Sequence, residues 1–217
     1  MMRCLAALGR TFERAVVPGG CVFCGAGLDI SVAPVCGGCH GDLPWTTPRF
    51  ELPPFVFAAA PLEYAFPVDA AIKAMKFRRK LCYAPAFSSL LETTLHLLPG
   101  DVDALLPVPL HWRRQMMRGF NQAIEIARPL SRRTGISVVG QVTRNRATPY
   151  QSGLAAAHRR RNLKGAFSMR GELNARHVLI VDDVITTGAT CRELATLVLE
   201  AGVEKVSVLA IAKARRD

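Results

Sequence analysis

The sequence of 217 residues predicts an α/β fold, in which a parallel sheet is flanked by helices and preceded by a small N-terminal module. Apolar runs typical of buried strands alternate with segments of helical periodicity, which is the rhythm of a parallel sheet. Four cysteines lie close together near the N-terminus. Half of the residues are hydrophobic, and a globular chain of this length suits one ordinary domain with an appendage. We expect the module to cover residues 1–50 and the main domain residues 51–217.

One stretch, H-V-L-I-V-D-D-V-I-T-T-G-A-T at residues 177–190, combines a strand, two acids and a loop of small residues. The branched apolar residues 178–181 predict a strand buried on both faces. Asp182 and Asp183 follow at its carboxyl end, where two carboxylates are costly unless they bind something. Helical spacing over residues 191–201 predicts a helix after the loop. The loop residues are Thr186, Thr187, Gly188, Ala189 and Thr190.

The chemistry of this stretch suits a phosphorylated sugar. A small-residue loop before a helix offers free backbone N–H groups and the positive end of the helix to a phosphate. Asp182 and Asp183 repel phosphate, and they suit hydroxyl groups or Mg²⁺ next to it. Phosphoribosyl pyrophosphate (PRPP) combines a phosphate, vicinal hydroxyls and a metal-bound pyrophosphate. The alternative is a buried strand with a polar turn; a Walker nucleotide site is excluded because the chain lacks G-x-x-x-x-G-K-[ST].

The four cysteines form two C-x-x-C pairs separated by 11 residues. Each pair is typical of a knuckle whose backbone N–H groups face the thiolates, and four thiolates match the preferred ligands of Zn²⁺. We expect a structural zinc site, because four cysteines leave no open position for catalysis. Disulfides are the alternative, and they are disfavoured in a cytosolic chain. The predicted ligands are Cys21, Cys24, Cys36 and Cys39.

The rest of the chain supplies the other elements of the predicted sheet. We expect short strands within residues 55–64, helices over 68–79, 84–98 and 121–133, and strands at 102–106, 137–142 and 206–212. Pro107 and Pro109 cannot donate to a strand ladder, so pairing should end there. The loop that follows carries His111, Arg113, Arg114 and Arg118. Residues 143–167 have weak periodicity and predict a mobile hood whose Arg159 and Arg160 reach a bound anion.

The charge of +11 is concentrated in one part of the chain. Residues 111–176 contain 14 lysines and arginines against two acidic residues, a field that favours PRPP, pyrophosphate or nucleic acid as partner. A solvated basic face is the alternative for any single arginine. No apolar run reaches the length of a membrane span. Residues 1–20 predict a short amphipathic helix rather than a secretory signal, so we expect a cytoplasmic protein.

The four cysteines, the P-V-P-L-H and R-G-F-N-Q segments, the R-x-x-N-x-x-x-A-F stretch and V-D-D-V-I-T-T-G-A-T together resemble the ComF family. The last motif matches the fingerprint of type I phosphoribosyltransferases. The resemblance implies a type I phosphoribosyltransferase-like parallel sheet with a hood and an N-terminal zinc-knuckle module. It also implies that the fingerprint loop binds the 5′-phosphate, the two acids bind the ribose hydroxyls and the loop with His111 to Arg118 neighbours the pyrophosphate. The family is associated with single-stranded DNA during transformation.

Two functions follow as hypotheses. The first is Mg²⁺-dependent phosphoribosyl transfer with release of pyrophosphate, in which Asp182 and Asp183 position the ribose. The second is a non-catalytic module that binds single-stranded DNA or senses PRPP, contacts the DNA-uptake machinery, and uses the zinc knuckles and the basic segment. In the second, Phe120, Tyr150 and Phe167 are candidates to stack on bases, and the alternative for aromatic residues at these spacings is a place in the core. No motif identifies the acceptor of the first.

Overall fold

The computed structural model of the chain describes residues 20–28, 34–146 and 165–215. The chain forms two compact units, Met1–Leu43 and Pro44–Asp217. Residues 44–50, expected in the N-terminal module, belong to the second unit, where Trp45 bridges Leu62 and Arg49 bridges Ala59. The helix expected before Gly20 lies outside the described residues. Within the described part, every helix is too short or too polar to span a bilayer.

The described part of the first unit contains two tight turns around its cysteines. The first turn is closed by the Gly25 N–H, which donates to Cys21 O at 2.8 Å. The second opens helix α1 (Gly37–Asp42), whose N-cap is Cys36. The Val22 N–H donates to Pro34 O at 3.1 Å and ties the two turns together. These backbone contacts give a short segment a defined shape with little apolar burial.

The second unit contains a six-stranded sheet in which all pairs of strands are parallel. The strand order is β1-β8-β7-β3-β4, and β2 pairs with the distal part of β8. Two further strands, β5 and β6, form a separate antiparallel pair. The expected parallel sheet is therefore confirmed. The strands are β1 (Phe57–Ala59), β2 (Leu62–Glu63), β3 (Ala104–Pro107), β4 (Ser137–Val138), β5 (Val142–Arg144), β6 (Phe167–Met169), β7 (His177–Ile185) and β8 (Lys205–Lys213).

Helices cover the sheet and bury its central strands. In β7 all but one of the nine residues are buried, which explains its continuous apolar run. In helix α5 (Gln122–Thr134) the buried apolar residues recur at helical spacing: Ala123, Ile126, Ala127 and Leu130. The helices are α2 (Val68–Arg78), α3 (Tyr83–Glu92), α4 (Trp112–Arg118), α5 (Gln122–Thr134) and α6 (Ala189–Glu200), with a 3-10 turn at Leu95–Leu97.

Two local expectations were wrong. Strand pairing does not fail at Pro107, because this residue still pairs with Val181 and the Val108 N–H continues the ladder by donating to Val181 O at 2.9 Å. A proline removes only its own N–H, so a strand end tolerates it. The strand expected over 137–142 is divided into β4 and β5, which residues 139–141 separate.

The expected loop after β3 is largely a helix. Helix α4 begins after His111, whose Nδ1 accepts a hydrogen bond from the Arg113 N–H at 3.3 Å. It ends at Gly119, which has a φ of 85° and donates to Gln115 O at 2.7 Å. Both caps satisfy backbone groups that a short helix leaves open. The arginines of this segment therefore project from a helix rather than from a loop.

Candidate functional site

The fingerprint stretch folds as a strand, a turn and a helix. Strand β7 runs on to Ile185, beyond the predicted end at residue 181, and the turn comprises residues 186–188 before α6. Asp182 and Asp183 thus lie within the last part of the strand, and Asp182 is opposite Ala210 of β8. The turn and the start of α6 surround a small cavity of about 70 Å³ that also borders Asp182. The predicted loop residues and the acids are therefore close together.

Gly188 fixes the shape of this turn for two physical reasons. Its φ of 73° is in the left-handed region, which favours glycine. A Cβ atom at this position would also lie 3.1 Å from both methyl carbons of Leu52. Arg192 holds the turn from the other side, because its guanidinium donates to Thr187 O at 2.7 Å and to Pro53 O at 2.8 Å.

The two acids are buried, with exposed fractions of 9% for Asp182 and 3% for Asp183. Burial, followed by the charge of Asp183, raises the pKa of Asp182 to about 7. Asp182 Oδ1 accepts a hydrogen bond from the Asp183 N–H at 2.8 Å. The Cys191 thiol lies 3.8 Å from Asp182 Oδ2, and burial raises the pKa of this thiol well above its usual value. This pair of carboxylates is costly in the free protein.

Lys76 of α2 partly neutralises the acids, and sequence reasoning missed it. Its Nζ lies 2.7 Å from Asp183 Oδ2. Burial opposes the lysine charge, but Asp183 outweighs it and raises the pKa of Lys76. Within the described residues, Asp183 Oδ2 has no hydrogen bond of good geometry despite this ion pair. The sequence signal was present in the basic face of α2, but nothing local linked it to Asp183.

The arginines of α4 occupy different surroundings. Arg118 is half-buried, packs over the Phe77 ring at 5.8 Å and donates to the side chain of Gln122. Burial lowers the pKa of Arg118, and the charge of Asp183 acts in the opposite direction. Arg113 is exposed and lies over the Trp112 ring at 5.3 Å. Arg118 is therefore the α4 arginine that the acids influence, whereas Arg113 forms part of the surface.

His111 and Arg114 complete the predicted set on this segment. His111 is buried, and its Nε2 lies 3.2 Å from Asn145 O, so the ring joins α4 to the end of β5. Arg114 is half-buried, and its charge lowers the pKa of both Arg118 and Arg144. His111 thus has a positioning geometry, and Arg114 contributes to a concentrated positive field. Arg159 and Arg160 lie outside the described residues.

Arg144 of β5 is a further cation that sequence reasoning missed. Burial, then the charge of Arg114, lower its pKa to about 10, while the charge of Asp182 acts in the opposite direction. Its guanidinium lies 5.4 Å from the centroid of the Phe167 ring. Phe167 is buried, so the prediction that it stacks on bases was wrong. Tyr150, another predicted stacking residue, lies outside the described residues.

Several exposed aromatic and methionine side chains lie on α2 and α4 instead. Phe77, Trp112, Met116 and Met117 have more than half of their surface exposed. Arg79 donates to Met117 O at 3.0 Å, which joins the end of α2 to α4. These residues form an apolar surface interleaved with arginines, and we call it the α2–α4 surface.

The four predicted cysteine ligands come together in the first unit. Their sulfur atoms all lie within 4.8 Å of one another, and Cys24 Sγ is 3.7 Å from Cys36 Sγ. Sulfurs around a tetrahedral zinc ion at ~2.3 Å would be about 3.8 Å apart, so the spacing fits the ion. His40 is exposed and is not one of the four clustered residues.

The backbone around the cluster favours thiolates. The Cys36 N–H donates to Cys21 Sγ and the Cys39 N–H donates to Cys36 Sγ, both at 3.4 Å. Burial raises the pKa of Cys21, but the N–H groups of Cys36, Cys24 and Phe23 outweigh it and lower the pKa to about 6. Hydrogen bonds with the neighbouring thiols of Cys24 and Cys36 raise the pKa of Cys39. The donor set can therefore hold a metal ion.

Comparison with known proteins agrees with these features. The phosphoribosyl transferase domain family matches residues 116–217. DNA utilization protein YhgH of Escherichia coli O157:H7 is 39% identical over 194 residues, which cover 84% of this chain and 84% of that protein. Competence protein F of Haemophilus influenzae is 32% identical over 205 residues, which cover 88% of this chain and 89% of that protein.

Among solved structures, the glutamine PRPP amidotransferase from B. subtilis is 22% identical with a TM-score of 0.44. The match covers 64% of this chain and 30% of that longer chain. The family match and the parallel sheet identify the fold of the second unit. The sequence relatives extend over most of both chains and across both units. The protein therefore belongs to the ComF family, and its main unit has a type I phosphoribosyltransferase-like fold.

Proposed function

We propose that the protein binds PRPP and catalyses Mg²⁺-dependent phosphoribosyl transfer with release of pyrophosphate. The observation that carries the proposal is the turn between β7 and α6, where backbone amides lie beside two buried acids. A pair of buried carboxylates that raises the pKa of Asp182 to about 7 is costly, and ligand hydroxyl groups would repay that cost.

Each part of the site has a role in this proposal. The amides of residues 186–190 and the N-terminus of α6 bind the 5′-phosphate. Asp182 and Asp183 accept hydrogen bonds from the ribose hydroxyls, and Lys76 pairs with Asp183. Arg118 and Arg114 stabilise the negative charge that develops on the leaving pyrophosphate. His111 fixes the start of α4 and so positions these arginines.

The donor set also fits Mg²⁺. This ion binds proteins through one or two carboxylates together with substrate phosphates and water, so Asp182 and Asp183 would hold it with the bound pyrophosphate. Asp182 and Asp183 are both buried at the end of β7, and Asp182 borders the cavity, which supports this assignment. When bound, Mg²⁺ supplies charge neutralisation for the leaving group.

Calorimetry with PRPP and Mg²⁺ tests the site, and pyrophosphate release tests turnover. The intact protein should bind PRPP, and the double variant Asp182→Asn/Asp183→Asn should not. Both substitutions preserve side-chain volume, so the double variant should keep its fold, which circular dichroism can check. Equal heats from the two proteins would refute the proposed site. Pyrophosphate release should require both Mg²⁺ and an acceptor from a panel of bases, amines and DNA ends.

For the cysteine cluster we propose a structural Zn²⁺ ion. Mass spectrometry under native conditions should find one zinc per chain. Cys24→Ser should lose the ion and destabilise the first unit, whereas Cys82→Ser, an exposed cysteine outside the cluster, should retain it. Retention of full zinc by Cys24→Ser would reject this ligand assignment.

A second candidate function is binding of single-stranded DNA, and the α2–α4 surface favours it. Aromatic side chains interleaved with arginines provide stacking platforms and charge for a single strand. The names of the relatives, DNA utilization protein and competence protein, point to the same class of partner. We further propose that the protein acts in the cytoplasm with the DNA-uptake machinery.

Oligonucleotide binding measured by fluorescence anisotropy tests this function. Affinity should fall steeply with salt, and Trp112→Ala should weaken it more than Trp45→Ala does. A flat salt response would remove this candidate function.

A further inference from the structure

A second cavity of about 680 Å³ lies beside the candidate PRPP site, and the roles proposed above leave it without a ligand. It is formed where β3, β4 and β5 end and where α5 begins. Pockets for small molecules usually have volumes of ~300–1,000 Å³, so this cavity can hold a ligand of nucleotide size.

The inner wall of the cavity is apolar. Leu106 and Val142 are buried there, and Ile124 of α5 lines the same space. Val138 and Trp112 border the cavity with 37% and 57% of their surfaces exposed. An exposed indole beside aliphatic side chains favours a flat ring that can stack on one side and displace water on the other.

The charges around the cavity have one sign. Arg128, Arg144 and Arg170 line it, and none of its described lining residues is acidic. Arg128 is exposed and pairs with the half-buried Glu125 at 3.0 Å. Because like charges gathered around one space repel each other, an anionic ligand is favoured there over a neutral one. Arginine is also the side chain best suited to the oxygen atoms of a phosphate.

From these observations we propose that this cavity binds a nucleotide. The base lies on the apolar wall beside Trp112, and the phosphate lies among Arg128, Arg144 and Arg170. A free nucleobase would bring no negative charge into this positive field, and pyrophosphate would leave the apolar wall without a partner. A nucleotide satisfies both parts of the cavity.

The position of the cavity suggests its use. Its wall includes Leu106 and Pro107 of β3, which pair with Ile180 and Val181 immediately before the two acids. Arg144 also responds to the charge of Asp182, which places the two sites close together. The nucleotide would therefore be the acceptor, a role that rests on the proposed transferase function. Binding of the nucleotide does not rest on that function.

Calorimetry without PRPP separates the ligand classes. Thymidine monophosphate should bind the intact protein at least about tenfold more tightly than thymidine, because a charge-assisted contact is lost with the phosphate. Arg170→Gln and Arg128→Gln should each weaken the monophosphate about tenfold and leave thymidine unchanged. Arg132→Gln, an exposed arginine on the same helix as Arg128 but outside the cavity, should change neither.

Equal affinities for thymidine and its monophosphate would overturn the proposal. So would pyrophosphate that binds as tightly as the monophosphate and competes with it, because the cavity would then be a pyrophosphate subsite. A 5′-phosphorylated oligothymidylate distinguishes two sources of the same ligand chemistry. If the oligonucleotide binds as tightly as the mononucleotide, the cavity takes the 5′ ends of DNA strands. If the oligonucleotide binds more weakly, the cavity takes free nucleotides. Both results support a nucleotide site.

PRPP titrations keep this proposal distinct from the proposed function. Arg170→Gln should bind PRPP and Mg²⁺ as the unaltered protein does, and Asp183→Asn should lose PRPP but keep the monophosphate. If the unaltered protein binds the monophosphate but not PRPP, the transferase proposal fails and the nucleotide site stands. If it binds PRPP but not the monophosphate, the nucleotide site fails alone.

Discussion

Strand β7 carries buried ionisable residues near both ends, and the two clusters differ in how well they are satisfied. At its start, both ring nitrogens of His177 have partners at 2.8 Å: Asp101 Oδ1 for Nδ1 and Ser207 Oγ for Nε2. Lys205 Nζ donates to the other oxygen of Asp101 at 2.8 Å. About 17 Å further along the strand, Asp182 and Asp183 repel each other, and Lys76 offsets part of their charge.

The difference separates a structural polar cluster from a ligand-binding one. The hydrogen-bonded side chains of Ser207, His177 and Asp101 have the connectivity of a hydrolase triad. Ser207 is completely buried, however, so no substrate can reach its hydroxyl. Its partners are all supplied by the fold. At the other end, Asp182 borders a cavity, and burial together with the charge of Asp183 raises its pKa to about 7, so the fold does not fully compensate the charges of the two acids. Buried charges that the fold does not fully compensate, next to a cavity, are therefore a better indicator of function than a fully hydrogen-bonded polar cluster.

An aspartate-to-asparagine change at each end of β7 should affect a different property of the protein. The loss of PRPP binding at the Asp183 end is the largest effect that we expect. Asp183→Asn should weaken PRPP binding about a thousandfold, because two charged hydrogen bonds of about 2 kcal/mol each are lost. Asp101→Asn should leave PRPP binding unchanged and lower the melting temperature. Calorimetry and thermal denaturation of both variants provide the test. A loss of PRPP binding in Asp101→Asn would show that the starting cluster is not merely structural.

The pH dependence of stability should also have opposite signs at the two ends. The pKa of Asp182 is raised to about 7 from a usual value of 3.8, so the folded state favours the protonated acid and loses stability as pH rises from about 4 to 7. The loss should be on the order of 4 kcal/mol over this range. Asp182→Asn should remove it, which urea denaturation at pH 5 and pH 8 would measure.

At the start of β7, the hydrogen bonds of Lys205 and His177 lower the pKa of Asp101 to about 2. The stability that Asp101 contributes is therefore present above pH 4 and lost as pH falls towards 2. Asp101→Asn should abolish this loss of stability at acidic pH. It should not change how the free energy of unfolding varies between pH 5 and 8. If the two variants shared one pH profile, the contrast between the ends of β7 would be wrong.

The sequence was sufficient to predict features that depend on neighbouring residues. The turn between β7 and α6 follows from its small residues, and the cysteine cluster follows from C-x-x-C spacing. Lys76 could not be found in this way, because it meets Asp183 only after more than 100 intervening residues have folded. The same reason explains Phe167, which is apolar enough for a surface platform but is covered in the folded chain.

Lys76→Gln sharpens the role of the cation that the sequence did not reveal. Removal of this charge should weaken PRPP binding about tenfold, since a partly buried ion pair beside an anionic ligand is lost. It should also raise the pKa of Asp182, to which the charge of Lys76 makes a lowering contribution, so PRPP binding should require a higher pH. Lys73→Gln is the matched control on the same helix, because Lys73 pairs with Asp69 at the exposed surface. Unchanged affinity and pH dependence in Lys76→Gln would exclude the lysine from the site.

The smallest effect concerns the turn itself and compares the two ends of α6. Gly188 and Gly202 both have positive φ values, 73° and 97°, so alanine at either position should cost about 1 kcal/mol of folding free energy. Only at Gly188 would the new Cβ also press on Leu52, at 3.1 Å, whereas nothing lies within 4 Å at Gly202. Gly188→Ala should therefore be about 1 kcal/mol less stable than Gly202→Ala in urea denaturation, and it alone should weaken PRPP binding. Equal PRPP affinity in the two variants would mean that the turn adapts to the ligand and that its observed shape is not required for phosphate binding.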